Sequence, residues 1–429
     1  MAKVLLIYPK PEEYKNSRFG FSLNLLYLSS ILKQNNHTIV DYIDFSLYTY
    51  DENKIYERLD ICDYVIIEMD SFSLKRSNNI TNAEFLLKKI KEINPSVKTI
   101  AFGYDISLYP RDVPFADYSF TSNNYESKIL EIINQKEITF NFIKSFDLLP
   151  FPDRSLLSEY IEHGGSIIHK TNLMKSTLIQ TSRGCLNKCT FCQRKGWYNK
   201  YLTHSVDYVI SEFEYLSKNN YINIWIADDN FTFNLERAKN ILLELINRKI
   251  STKMKIACSS WTKIDKEFLK LAKKANISVI SFGVESADRN ILRFYNKDVD
   301  LKYTCELINY ANEIGLYTVG NFILGAPMET DETISKTFNF ALKTPFDQVN
   351  IKILDYMIGA ELFDNLPQSM KKGKRHIFAC KEVGLNNFYL SELKNKINDF
   401  KIKFKKSRET MLKNKLLKYG KPYEVRKFT

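Results

Sequence analysis

Between residues 175 and 356 the chain repeats one pattern six times: an apolar, β-branched run, then apolar residues at helical spacing. The runs are STLIQTS, NIWIA, MKIACSS, SVISFGVES, YTVGNFIL and QVNIKIL. Helices are expected over 206–216, 235–246, 266–275, 288–310 (broken near Lys297) and 332–342. Strands alternating with helices make parallel sheets, because each crossover returns the chain to the same end. Six steps predict a partial (β/α)6 TIM-type barrel, two short of a full one. In such a barrel the chemistry belongs at the C-terminal strand ends.

A second alternation precedes the first. VLLIYP, HTIVDYID, CDYVIIEM, VKTIAFG and ADYSFT read as strands with amphipathic helices between them. Residues 1–140 are therefore expected to form a doubly wound, Rossmann-like parallel sheet. The turn after its first strand, PKPEEYKNSRFG, lacks the GxGxxG of a dinucleotide site. His37 reads as a partly exposed loop histidine. Residues 141–174 form a linker that contains LPFPDRSLL, whose prolines forbid a continuous helix. The barrel occupies 175–356, and 357–429 is expected to be a helical, basic C-terminal region. Its charge is local: from Lys371 onward there are 18 Lys or Arg against 5 Asp or Glu, whereas the whole chain carries +12. A stripe at 390, 393, 397, 400, 404, 411 and 412 should pack that helix on the barrel.

Polar residues gather where the barrel rule puts them. Cys185, Cys189 and Cys192 follow the first strand, and Asp228, Asp229 and Asn230 the second. Ser259, Ser260 and Trp261 follow the third, Glu285 and Ser286 the fourth, and GAP at 325–327 the fifth. Asp229 or Asn230 could also be a plain cap for the helix at Leu235. Three thiols lie in the eight residues CLNKCTFC of a chain with seven cysteines. Zinc would want a fourth Cys or His nearby, and His204 is twelve residues away. A redox CxxC would leave Cys185 without a role. An iron–sulfur cluster suits soft thiolates, and three ligands leave one iron of four open to an external ligand. Cys62, Cys258, Cys305 and Cys380 read as small buried hydrophobes, with Cys258 the one to watch because it ends a barrel strand.

The arrangement Cys185, Cys189, Phe191, Cys192 after a first barrel strand resembles the radical S-adenosylmethionine superfamily. IADDNFTFN, SFGVES and GNFILGAPMET resemble later strand ends of its Elongator- and methylthiotransferase-like branch. LPFPDRSLL and FGFSLNLLYLSSILKQNNHTIVDYID resemble the linker and opening of a cobalamin-binding domain. The resemblance covers about residues 1–356. It implies a [4Fe–4S] cluster on the three cysteines and S-adenosylmethionine on the open iron. Phe191 would lie near the adenine, and Asp228, Asp229 and Asn230 would hold the amino group. Glu285 and Ser260 would reach the ribose, with Asn321 and Ile323 in the backbone that flanks the adenine. A 5′-deoxyadenosyl radical would then take hydrogen from a substrate. Three departures bear on this. The branch's arginine after the third strand is missing from SSWTKID. The Asp-x-His-x-x-Gly motif of many cobalamin domains is absent. Phe102-Gly103-Tyr104 keeps one glycine of a usual pair. The first domain is thus either a cobalamin site or a scaffold for packing or substrate docking.

The implied partners are a small-molecule or peptide substrate and a reductant protein such as a flavodoxin or ferredoxin. With cobalamin the reaction would be methylation; without it, rearrangement or cyclisation. Rival readings are a non-catalytic iron–sulfur electron carrier or sensor, and an RNA-modifying enzyme docked through the basic tail. Nothing resembles a known RNA-binding module, so nucleic acid is the weaker choice. The apolar runs are too short to span a bilayer, and the odd cysteine count argues for a reducing cytoplasm. Trp197, Tyr198, Trp261 and Tyr356 are candidate substrate-pocket residues.

Overall fold

The computed structural model describes residues 1–12, 21–46, 51–70, 78–120, 124–135, 145–158, 176–193 and 200–422. The first sheet is built from β1 (Lys3–Tyr8), β2 (Thr38–Asp44), β3 (Tyr64–Glu68), β4 (Lys98–Phe102) and β5 (Tyr118–Ser119). Its order is β2-β1-β3-β4-β5, with every pairing parallel. Alternation splits β1 between two cores. Val4, Leu6 and Tyr8 pack with the helix Leu23–Gln34, while Leu5 and Ile7 pack with the helix Ile80–Ile93. A strand buried on both faces reads as an unbroken apolar run, which is why VLLIY is so plain in the sequence.

The second sheet holds β6 (Ser176–Ile179), β9 (Asn223–Ile226), β10 (Lys255–Ser260), β11 (Ile277–Glu285), β12 (Tyr317–Leu324) and β13 (Gln348–Ile353). These are the six expected strands, all parallel and in chain order from β6 to β13. The helix over 288–310 is broken where expected, into Arg289–Phe294 and Leu301–Glu313. Ile256, Cys258, Phe282, Phe322 and Ile351 face the surrounding helices in one core. Asn321 and Asn350, and Ile323 and Lys352, are register partners across β12 and β13 on the opposite, inner face. That face carries a polar ladder. Asn321 Nδ2 donates to Ser281 Oγ at 2.7 Å, and Asn350 Nδ2 donates to Asn321 Oδ1 at 3.1 Å.

Two small antiparallel pairs were not expected. They are β7 (Ser182–Arg183) with β8 (Leu202–Thr203), and β14 (Asp355–Met357) with β15 (His376–Phe378). Strands of two or three residues carry no periodicity to read. The expected tail therefore begins inside β14 and contains β15 before its long helix, Leu390–Tyr419.

That helix buries Leu393, Ile397, Phe400 and Phe404 against the barrel core and packs on β13. Met411 and Leu412 are only partly covered; the buried face continues instead through Arg408 and Lys415. Arg408 donates to the carbonyls of Leu342, Thr344 and Phe346, which lie at and beyond the end of the helix Asp331–Lys343. Lys415 pairs with Asp347 at 2.6 Å.

The two sheets share a core. Tyr27, Phe146, Leu149 and Leu157 pack with Leu178 and Ala227 of the barrel. The linker is ordered where it is described: Asp153 accepts from Ser29 and Lys33, while Arg154 pairs with Glu212 of the barrel side. The expected boundaries at 140 and 174 lie outside the described residues. His37 is buried rather than partly exposed, because its ring bridges the Ala2 amide and the Asn134 side chain.

Candidate active site

The cysteine loop leaves β7 at the C-terminal end of β6 and is pinned on both sides. Thr190 N–H donates to Tyr295 O, Thr190 Oγ1 donates to Phe294 O, and Leu362 N–H donates to Thr190 O. Asn296 Nδ2 holds Lys188 O at 2.8 Å. Cys185, Cys189 and Cys192 are half-buried, and none forms a disulfide. Burial pushes the Cys189 thiol up to about 12; Lys297 pulls it down, while Cys192, Glu285 and Cys185 raise it. Those four groups are thus within electrostatic reach of the Cys189 thiol.

Among the described residues no three His, Cys, Asp or Glu side chains converge tightly enough for a single metal ion. Three thiols on one loop suit a multi-iron cluster, which takes a ligand at each of several corners. The other cysteines differ. Cys258 is fully buried on the helix-facing side of β10, and burial pushes its thiol far up. Cys62 and Cys380 are buried and Cys305 half-buried.

The second strand end behaves differently from expectation. Asp228 Oδ1 accepts from the amides of Thr181 and Ser182 at 2.6 and 3.1 Å. Its Oδ2 accepts from their hydroxyls at 2.5 and 2.7 Å. Four donors occupy the Asp228 carboxylate and tie it to the start of the cysteine loop. Asp229 accepts from Gly184 N–H at 3.1 Å, one residue before Cys185. Asn230 Oδ1 accepts from the amide and hydroxyl of Thr232. Neither caps the following helix; Asn234 does, accepting from Arg237 N–H.

Glu285 ends β11 at φ +70, where the register with β12 slips. For a non-glycine residue this conformation costs on the order of 1–2 kcal/mol. Its Oε1 lies 2.7 Å from Lys297 Nζ, with both side chains buried. Gly283 permits this, because a Cβ there would stand 2.6 Å from the Glu285 carboxylate. Lys297 Nζ also stacks 5.0 Å from the Trp261 ring centroid. The Trp261 indole N–H is buried without a partner. Ser260, by contrast, is occupied with Trp261 O and lies 2.9 Å from Thr232 Oγ1.

Phe191 and Ile323 join the same apolar cluster, whose buried members include Tyr295, Leu354 and Tyr356. Phe191 meets Tyr295 edge-on at 5.2 Å. Asn321 sits in the ladder below them. Trp197 and Tyr198 lie outside the described residues.

The sequence reading missed Lys297 and Lys352. Lys352 lies on the inner face of β13 and its side chain is exposed; among the described residues its ammonium has no ion pair or hydrogen-bond partner. Strict alternation along QVNIKI could have identified it, since Val349 and Ile351 face the core.

The site can be compared with known proteins. Residues 179–341 match the family model of the Radical SAM superfamily. An uncharacterized methyltransferase of Pyrococcus horikoshii is 25% identical over 395 residues, covering 84% of this chain and 82% of that protein. The fold is shared with TsrM, a radical S-adenosylmethionine methyltransferase from Kitasatospora setae solved with cobalamin and a [4Fe–4S] cluster. That match has TM-score 0.66 and 15% identity, over 84% of this chain and 77% of TsrM. It is shared also with OxsB, a cobalamin-dependent S-adenosylmethionine radical enzyme solved with aqua-cobalamin. There the TM-score is 0.62 at 19% identity, over 86% of this chain and 56% of OxsB.

Proposed function

The chain carries a radical SAM domain and is an enzyme of that superfamily, and from this premise we propose that it transfers a methyl group to a small molecule, with cobalamin held at the first sheet. The observation that carries the reading is the pinned loop of three half-buried thiols at the end of β6. The methyl-transfer part is supported by the paired sheets shared with TsrM and OxsB, and by the methyltransferase relative.

When bound, the cluster, S-adenosylmethionine and cobalamin supply one-electron and methyl-transfer chemistry at unactivated carbon. Cys185, Cys189 and Cys192 would hold the cluster. The orphaned Trp261 N–H and the Glu285–Lys297 pair offer polar contacts beside them. Lys352, on the inner face of β13, offers a further cation. Phe191, Ile323, Tyr295 and Tyr356 form an apolar wall that excludes water from the reacting groups. In the first sheet the order is that of flavodoxin-like folds, which take ligands at the β1/β3 crevice. Gly103, at φ +132, lets the ends of β3 and β4 close together: a Cβ there would meet Met69 O at 2.5 Å. The described residues at that end include no histidine, so the fit is to a corrin bound without a histidine ligand.

Anaerobic incubation with S-adenosylmethionine and dithionite tests the reading. Release of 5′-deoxyadenosine or S-adenosylhomocysteine is expected, with iron and corrinoid bands in the absorption spectrum after cobalamin is added. Zinc at the thiols, or no cleavage product at all, would overturn it. A cleavage product with no corrinoid band would remove cobalamin alone.

A further inference from the structure

At the opposite end of the barrel from the cysteines, the basic tail and the strand starts enclose a cleft of about 50 Å3. Four lysines line it, Lys255, Lys273, Lys415 and Lys421, and no Asp or Glu does. Only Lys415 has a carboxylate partner, the buried Asp347. Lys273 donates to Gly315 O at 2.9 Å and lies 5.0 Å from the Tyr419 ring centroid. Lys255 and Lys421 have no ion pair among the described residues.

The walls are built. Gly315, at φ +78, has no Cβ, and one would strike the Tyr419 ring at 2.5 Å. Tyr419 therefore lies directly on the backbone there, and its hydroxyl donates to Glu313 O at 2.7 Å. The last turn of the tail is thus seated, and its charges are held toward the barrel. Burial lowers the Lys273 pKa, and the neighbouring Lys255 and Lys415 lower it further. Like charges packed this way need a counter-charge from outside.

We propose that this cleft binds a phosphoryl oxyanion, either free or as the terminal group of a small molecule. Several point-charge ammonium groups around a space of this size suit a compact, multiply charged tetrahedral anion better than a planar carboxylate. Occupancy would tie the tail helix to β10, β11 and β12. The site is independent of the cluster and of the proposed reaction.

Calorimetric titration of the full chain with inorganic phosphate and with adenosine monophosphate, at constant ionic strength, tests this. One saturable site per chain is expected. Lys273→Met and Lys255→Gln should each weaken it by about 10-fold, the loss of one charge-assisted contact. Lys403→Met, on the exposed face of the same helix, should leave it unchanged. Melting curves establish that each variant folds; Lys255→Gln keeps the test open if Lys273→Met does not. Binding of both ligands supports a terminal phosphoryl group, and binding of phosphate alone supports a free anion. No saturable binding, or equal weakening by Lys403→Met, would overturn the site.

Discussion

Arg183, two residues before the first cluster cysteine, reaches into the other sheet's territory and pairs with Glu126 at 2.5 Å, both side chains buried. Its guanidinium also packs over the rings of Tyr27, Tyr125 and Phe146. The cysteine loop and the first domain are therefore one mechanical unit. A buried charge left alone is more costly than no charges at all. Arg183→Met is expected to destabilise the protein by about 3–5 kcal/mol, and Arg183→Met with Glu126→Met by clearly less. Denaturant unfolding of the two variants checks this.

Asp228 should matter for the cofactor without touching it. Asp228→Asn replaces one acceptor oxygen by a donor that faces amide and hydroxyl donors. About 2–3 kcal/mol of local stability should be lost. Iron retained per chain after anaerobic reconstitution should fall, while far-UV circular dichroism stays native. Normal iron content would refute the bracing role.

Glu329 holds the GAP loop through the amides of Gly325 and Ala326. Burial raises its carboxyl from the usual 4.5 to about 7, and those two amides pull it back only in part. The folded state thus binds this proton more tightly than the unfolded state does. The stability it contributes is complete below about pH 4.5 and is lost as pH rises through about 7. Relative to wild type, Glu329→Gln should gain stability between pH 5 and pH 8, by at most about 3 kcal/mol. The difference between the two pH–stability curves is the measurement.

Lys352 stands on the inner face of β13 with no ion pair among the described residues. Lys352→Met should weaken S-adenosylmethionine binding about 10-fold, and Lys352→Arg should restore most of it. Equilibrium dialysis of reconstituted protein reads both effects.

All six barrel strands and all five of the first sheet's strands were legible, most of them because parallel strands are buried on both faces and read as apolar runs. The short pairs β7–β8 and β14–β15 were not legible, since they exist through tertiary contact and not local pattern. Cys185, Cys189 and Cys192 stood out by spacing alone. Asp228 shows the limit: a sequence reveals a carboxylate at a strand end but not the four donors that already fill it. His37 is similar, because its two partners lie 35 and 97 residues away.

The tail helix rests on β13, an outermost strand of an incomplete cylinder. An uncovered rim of that kind is a template on which a neighbouring molecule can extend the sheet. Lysines along the helix's outward side repel a similar helix on another copy. The most heavily charged part of the chain thereby protects its most adhesive backbone, so shortening the tail should first appear as self-association at high concentration.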